Sequence, residues 1–123
     1  MKEIIAIIRP KKVGATRLAL EHLGFPSQTA IAVLGRGRQR GLVGEVDVDL
    51  PTEVIVKARA GGMKFVPKRM LTLVVHNDEV DSIVRAIARV NSTGQIGDGK
   101  IFVSPIDDAL RVRTHETGES AVL

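Results

Sequence analysis

The chain has 123 residues, enough for one domain with a real core and too few for two ordinary ones. Apolar residues make up 44% of it, but with three Phe and neither Tyr nor Trp the core must be aliphatic, and the base-stacking surfaces that read single-stranded nucleic acid have almost no material to be built from. The absence of cysteine excludes disulfides and thiolate metal sites and suits a cytoplasmic location, while a formal net charge of +4 admits an anionic partner, for which small phosphorylated ligands fit better than nucleic acid, the plain alternative being a solvated basic surface.

In chain order, Ile4-Ile5-Ala6-Ile7-Ile8 is a β-branched run closed by Arg9-Pro10. It is too short for a signal peptide or a membrane span and predicts a buried strand. From Val13 to Leu23 the positions Val13, Thr16, Leu20 and Leu23 share one helical face, with Gly24 as the expected C-terminal stop. After the loop Phe25-Pro26-Ser27, residues Thr29 to Leu34 predict a second strand. The next stretch, Gly35 to Pro67, is far longer than an ordinary connection. It begins basic with Arg36, Arg38 and Arg40, turns acidic with Glu45, Asp47, Asp49 and Glu53, and returns through Gly61-Gly62. Val46, Val48 and Leu50 alternate with acids, the pattern of a hairpin arm, and a loop of this length is expected to bind a partner.

A third strand is predicted from Met70 to Val75, and Asn77 or Asp78 is the expected cap of a helix whose buried stripe is Val80, Ile83, Val84 and Ile87. After Asn91 and a glycine-rich turn, Ile101 to Ser104 predict the last strand. Residues 114–123 lack periodicity and read as a flexible tail. Two strand-helix-strand units in tandem give an α+β ferredoxin-like β-α-β-β-α-β domain over residues 1–113, its long loop at about 37–67. One helical layer covers only one sheet face, so the other, bare and apolar, is expected to be covered by further subunits.

The chemistry concentrates in Thr93-Gly94-Gln95-Ile96-Gly97-Asp98-Gly99-Lys100-Ile101-Phe102-Val103. Closely spaced glycines let backbone N–H groups surround an anion, and the lysine adds a full charge, so the segment reads as a phosphate cradle. The plain alternative is a glycine-rich turn with a solvated lysine. Gly94 to Lys100 fits G-x-x-x-x-G-K, yet Ile101 stands where a P-loop needs a hydroxyl for magnesium, and a strand follows instead of a helix. Nucleotide binding without P-loop hydrolysis is the expectation. His22, His76 and His115 have no ligand-like spacing, and Asp107-Asp108 reads as a turn. Gly35-x-Gly37 follows a second strand and opens a loop, which is not a dinucleotide-fold context.

Ile7-Ile8-Arg9-Pro10, Gly35-Arg36-Gly37-Arg38-Gln39-Arg40-Gly41, Pro67-Lys68, Thr93 to Val103 and Arg111-Val112-Arg113-Thr114 together resemble the PII signal-transduction proteins of nitrogen control. The likeness runs from Met1 to Thr114, interrupted only in the long loop, and Thr-Gly-x-Ile-Gly-Asp-Gly-Lys-Ile-Phe-Val is highly specific to that family. The resemblance implies a homotrimer with the sheets facing its interior and ATP or ADP between neighbouring subunits. Gly37, Arg38, Gly97, Asp98, Gly99 and Lys100 match the nucleotide-site pattern, with Arg111 and Arg113 reaching in from the adjacent subunit and Thr29 and Gly35 at the adenosine. The four basic residues of that set suit a triphosphate. Gln39 and Lys68 match positions that hold 2-oxoglutarate: Lys68 supplies a cation for the dicarboxylate, and the Gln39 amide oxygen is a hard ligand for Mg, which the keto acid chelates together with the ATP phosphates. Binding of the two ligands is then coupled.

The chain departs from the family in having no tyrosine, so the modification of a loop tyrosine that many members undergo is excluded, and Thr52 is the sole hydroxyl between Gly35 and Pro67. Arg9 replaces a frequent lysine without disturbing the likeness. The longer loop with an acidic centre resembles the nitrogenase-associated subgroup of archaea and some anaerobic bacteria, whose members act as paired paralogues. The function implied is a non-enzymatic sensor whose loop controls nitrogenase, or, second, an ammonium transporter. A slow nucleotide hydrolase and a nucleic-acid-binding protein are the alternatives from other classes. The former lacks a candidate base, and the latter predicts steeply salt-dependent affinity.

Overall fold

The structure, a computed structural model, describes residues 1–36 and 65–122. The proposed hairpin arm and Gly37, Arg38, Gln39 and Thr52 lie outside the described residues. Strand β1 (Lys2–Ile8) leads through a 3-10 turn at Pro10–Lys12 into α1 (Val13–His22), followed by β2 (Thr29–Gly35). The second unit is β3 (Val66–Val75), a 3-10 turn at Asn77–Glu79, α2 (Val80–Asn91) and β4 (Lys100–Pro105). All neighbouring strands pair antiparallel in the order β2-β3-β1-β4, the sheet of a ferredoxin-like fold.

Alternation along the central strands directs Ile4, Ala6 and Ile8 of β1 and Leu71, Leu73 and Val75 of β3 to one face, where Leu20 of α1 and Ile83 and Ile87 of α2 cover them. Helix α1 ends as Gly24 predicts: at φ +91° its N–H donates to the carbonyl of Glu21 at 2.9 Å, and that of Phe25 reaches Leu20 at 2.9 Å. Leu23 therefore falls just past the helix and is 44% exposed, not buried with Thr16 and Leu20. Thr16 and Asn91 form a polar tie between the helices, the Asn91 amide donating to Thr16 Oγ1 at 3.0 Å and to the Ile87 carbonyl at 2.9 Å.

Asn77 and Asp78 do not cap the helix, because they lie in the 3-10 turn before it: His76 caps that turn, its N–H donating to Glu79 Oε1 at 3.0 Å, and Glu79 stands at the N-cap of the helix. Strand β3 starts at Val66, earlier than expected, since Pro67 and Lys68 pair with Leu34 and Val33 of β2. The pairing of β3 with β1 ends at Arg69, so Pro67 occupies a locally one-sided strand, where a missing N–H is tolerated.

Residues 114–122, without periodicity of their own, form a tight reversal. Leu110 bridges Thr117, the Arg111 N–H donates to the Glu116 carbonyl at 2.9 Å, and a 3-10 turn spans Gly118–Val122. Asp108 Oδ1 accepts the N–H groups of Ala109 at 2.8 Å and Gly118 at 3.0 Å, the turn role expected of it.

The sheet face away from the helices carries Ile5, Thr72 and Phe102 in one row with Thr29, and Ile7, Met70, Ile31 and Lys100 in the next. Phe102 is 53% and Ile31 46% exposed in the single chain.

Candidate functional site

Antiparallel pairing brings the end of β1, the end of β2 and the beginnings of β3 and β4 to one edge of the sheet. A cleft of about 550 Å³ opens there, lined by Ile7, Gly35, Arg36, Val66, Lys68, Ile96, Gly97, Gly99, Lys100 and Phe102. Its cations are Arg36, Lys68 and Lys100, so an anion is the fitting guest. Lys68 is only 7% exposed, and its ammonium donates to the Gly97 carbonyl at 2.6 Å, the kind of partner a buried charge requires.

The glycine turn has its shape for two reasons. Gly94, Gly97 and Gly99 adopt φ of +79°, +100° and +109°, which L side chains rarely visit. At Gly99 space is lacking as well: a Cβ would stand 1.9 Å from the Ile7 carbonyl oxygen, so the turn lies directly on the backbone of β1. Its interior is organised by Asp98. One carboxylate oxygen accepts the N–H groups of Thr93 at 2.7 Å and Gly94 at 3.0 Å, the other the Thr93 hydroxyl at 2.5 Å and the Arg9 guanidinium at 2.5 Å. The Thr93 hydroxyl, the Thr93 N–H and then Arg9 hold the Asp98 carboxyl well below the usual carboxylate range, with a further contribution from the Gly94 N–H.

Of the residues expected at a ligand site, Gly35, Lys68, Gly97, Gly99 and Lys100 come together on the cleft. Asp98 belongs to the same turn, but its carboxylate is engaged inside it. Thr29 stands at the other end of β2, roughly 20 Å along the strand from Gly35. Arg111 and Arg113 lie in the C-terminal reversal outside the cleft of their own chain, the Arg111 guanidinium donating to Glu116 Oε1 at 3.1 Å and to the Ser120 carbonyl at 3.4 Å. Sequence reading passed over Arg9, whose partners are 87 and 89 residues away. A charged residue closing a buried strand was the one signal available.

Residues 1–116 match the sequence model of the family described as nitrogen regulatory protein P-II. The chain belongs to the P-II family. Among curated relatives, this P-II chain is 54% identical over 123 residues, the full length of both, to "Nitrogen fixation nifHD region GlnB-like protein 2" of Methanobacterium ivanovii. It is 52% identical over 122 residues to the protein of the same name from Methanothermobacter marburgensis, covering 99% of this chain and 100% of the relative. It is also 47% identical over 122 residues to "Nitrogen fixation nifHD1 region GlnB-like protein 2" of Methanosarcina barkeri, with 99% of each covered. P-II proteins are signalling proteins of nitrogen regulation and not enzymes, so the hydrolase alternative falls away.

Proposed function

We propose that this P-II chain senses ATP or ADP together with 2-oxoglutarate and passes their occupancy to a nitrogen-fixation target, nitrogenase being the favoured one. The observation that carries the nucleotide part is the glycine turn seated on Ile7, with Lys68 behind it and Lys100 at its end. The seat on Ile7 fixes where the turn stands, and positive-φ glycines at 97 and 99 with Lys68 and Lys100 on the same cleft are a combination suited to a polyphosphate. Lys68, on the same cleft, is the cation assigned to a carboxylate beside the phosphates.

The Gln39 amide oxygen would be the chain's ligand to a magnesium ion beside the phosphates, and the ion would supply neutralisation of their charge. Among the described residues no group of three or more His, Asp or Glu side chains is arranged for a metal. The homotrimer that the P-II likeness implies is part of the same proposal. Phe102 and Ile31 on the open sheet face need cover, and Thr29, Arg111 and Arg113, remote from their own chain's cleft, are assigned to a neighbour's. The names of the relatives, which tie them to a nifHD region and number them 2, support both the nitrogenase target and a paralogous partner subunit. No helix of the described residues is long and apolar enough to cross a membrane.

Titration calorimetry of the full chain with ATP, ADP and 2-oxoglutarate, with and without magnesium, tests this reading. Saturable ATP binding and 2-oxoglutarate binding only in the presence of Mg-ATP are expected. The absence of both would refute it. Co-purification with nitrogenase component proteins, run against an ammonium transporter, decides between the targets.

A further inference from the structure

Arg9 closes β1 with a side chain only 6% exposed, and burying a guanidinium is costly unless acceptors meet its donors. Nη1 donates to Asp98 Oδ1 at 2.5 Å and Nη2 to the carbonyl of Ile96 at 3.0 Å. Asp98 is in turn bonded to Thr93 and Gly94, and the Thr93 hydroxyl accepts the N–H of Gln95 at 3.2 Å. A buried cation at the end of β1 thus grips, at Asp98 and Ile96, a loop that is already tied to itself and that Lys68 of β3 holds at Gly97. Arg9 does not line the cleft.

We propose that Arg9 is a positioning residue of the nucleotide site: it holds the 93–99 turn against β1 and cancels the charge of Asp98, so that the turn's amides and Lys100 meet phosphate. The proposal rests on the nucleotide reading above. Two effects carry it. A turn with glycines at 94, 97 and 99 has many conformers to lose on binding, and anchoring it at both Asp98 and Ile96 removes much of that cost beforehand. The second effect is electrostatic. An uncompensated carboxylate at 98 would repel a polyanion, whereas the Arg9–Asp98 pair is neutral and leaves Arg36, Lys68 and Lys100 to set the sign of the cleft. The guanidinium is suited to this because its planar fork reaches a carboxylate and a carbonyl together, which an ammonium does less well.

The test is a double-mutant cycle on Arg9→Met, Asp98→Asn and the double variant, with Arg9→Lys as the conservative control. ATP affinity is read by calorimetry, and the exchange rates of the Thr93 and Gly94 amides by NMR. Arg9→Met is expected to weaken ATP about tenfold, the scale of one charge-assisted hydrogen bond, and to speed exchange of both amides. Arg9→Lys should recover most of the loss. In the Asp98→Asn background the same Arg9→Met change should cost less than about threefold, because the charge to be cancelled is gone. Wild-type affinity in Arg9→Met, or an equal loss in both backgrounds, would overturn the proposal. Should Arg9→Met fail to fold, Arg9→Gln, which keeps one donor and loses the charge, takes its place in the cycle under the same criteria. Failure of the wild-type protein to bind ATP would instead overturn the nucleotide reading and the proposal with it, while the amide exchange rates would still show whether Arg9 clamps the turn.

Discussion

Replacing Gly99 by Ala separates the two reasons for the glycine turn. The added Cβ would stand 1.9 Å from the Ile7 carbonyl oxygen, 3.0 Å from the Ile7 carbonyl carbon and 3.4 Å from Ile8 Cα, all of them backbone atoms of a central strand that cannot rotate away. Relief requires the turn to retreat by roughly 1 Å or more, against the packing that holds interiors at near-crystal density. A φ of +109° adds strain on the order of 1–3 kcal/mol for a residue with a side chain. Together these give a loss of stability of about 3–5 kcal/mol, in the range of changes with a single identifiable cause. Gly94→Ala is the control: at φ +79° it pays the conformational cost, but nothing lies within 4 Å of its Cβ. Urea unfolding at fixed protein concentration should place Gly99→Ala at least about 1 kcal/mol below Gly94→Ala, and ATP calorimetry should show the larger affinity loss for Gly99→Ala. Equal effects of the two substitutions would refute the argument that the turn's seat on β1 shapes the site.

Lys68→Ala should weaken 2-oxoglutarate by about 1.5–3 kcal/mol and ATP by less, since the ammonium is assigned to the dicarboxylate; equal losses in titration calorimetry would contradict that assignment. A chain lacking Arg111 and Arg113, mixed with one lacking Lys100, should regain a fraction of sites with wild-type ATP affinity, and no recovery in the mixture would rule out a site shared between subunits. Because hydrogen bonds from Thr93 and Arg9 hold the folded pKa of Asp98 below its unfolded value, its contribution to stability is complete above about pH 4 and is lost as pH falls through the folded pKa. Asp98→Asn should therefore be less stable than wild type at pH 7, with the difference shrinking below about pH 4 in acid unfolding followed by circular dichroism.

Much of the fold is local and was readable as such. The β-branched runs at Ile4–Ile8 and Thr29–Leu34, the Val80, Ile83, Val84, Ile87 stripe and the stop at Gly24 each follow from periodicity or backbone freedom within a few residues. Element ends were less legible, because pairing set them: β3 reaches back to Val66 only because β2 lies beside it, and the order of residues 114–122 comes from contacts with residues 108–111.

The same division runs through the site. Sequence alone determined that closely spaced glycines lead into Lys100 and a strand, and the expectation of an anion cradle rests on that spacing, which needs no coordinates. Tertiary structure decided what each residue does there. It placed Lys68 under Gly97, set Gly99 against Ile7, turned Asp98 inward and brought Arg9 across 89 residues to meet it. Those contacts join the ends of strands that are neighbours in the sheet and distant in the chain, and no periodicity within the chain encodes a hydrogen bond between elements that only folding brings together.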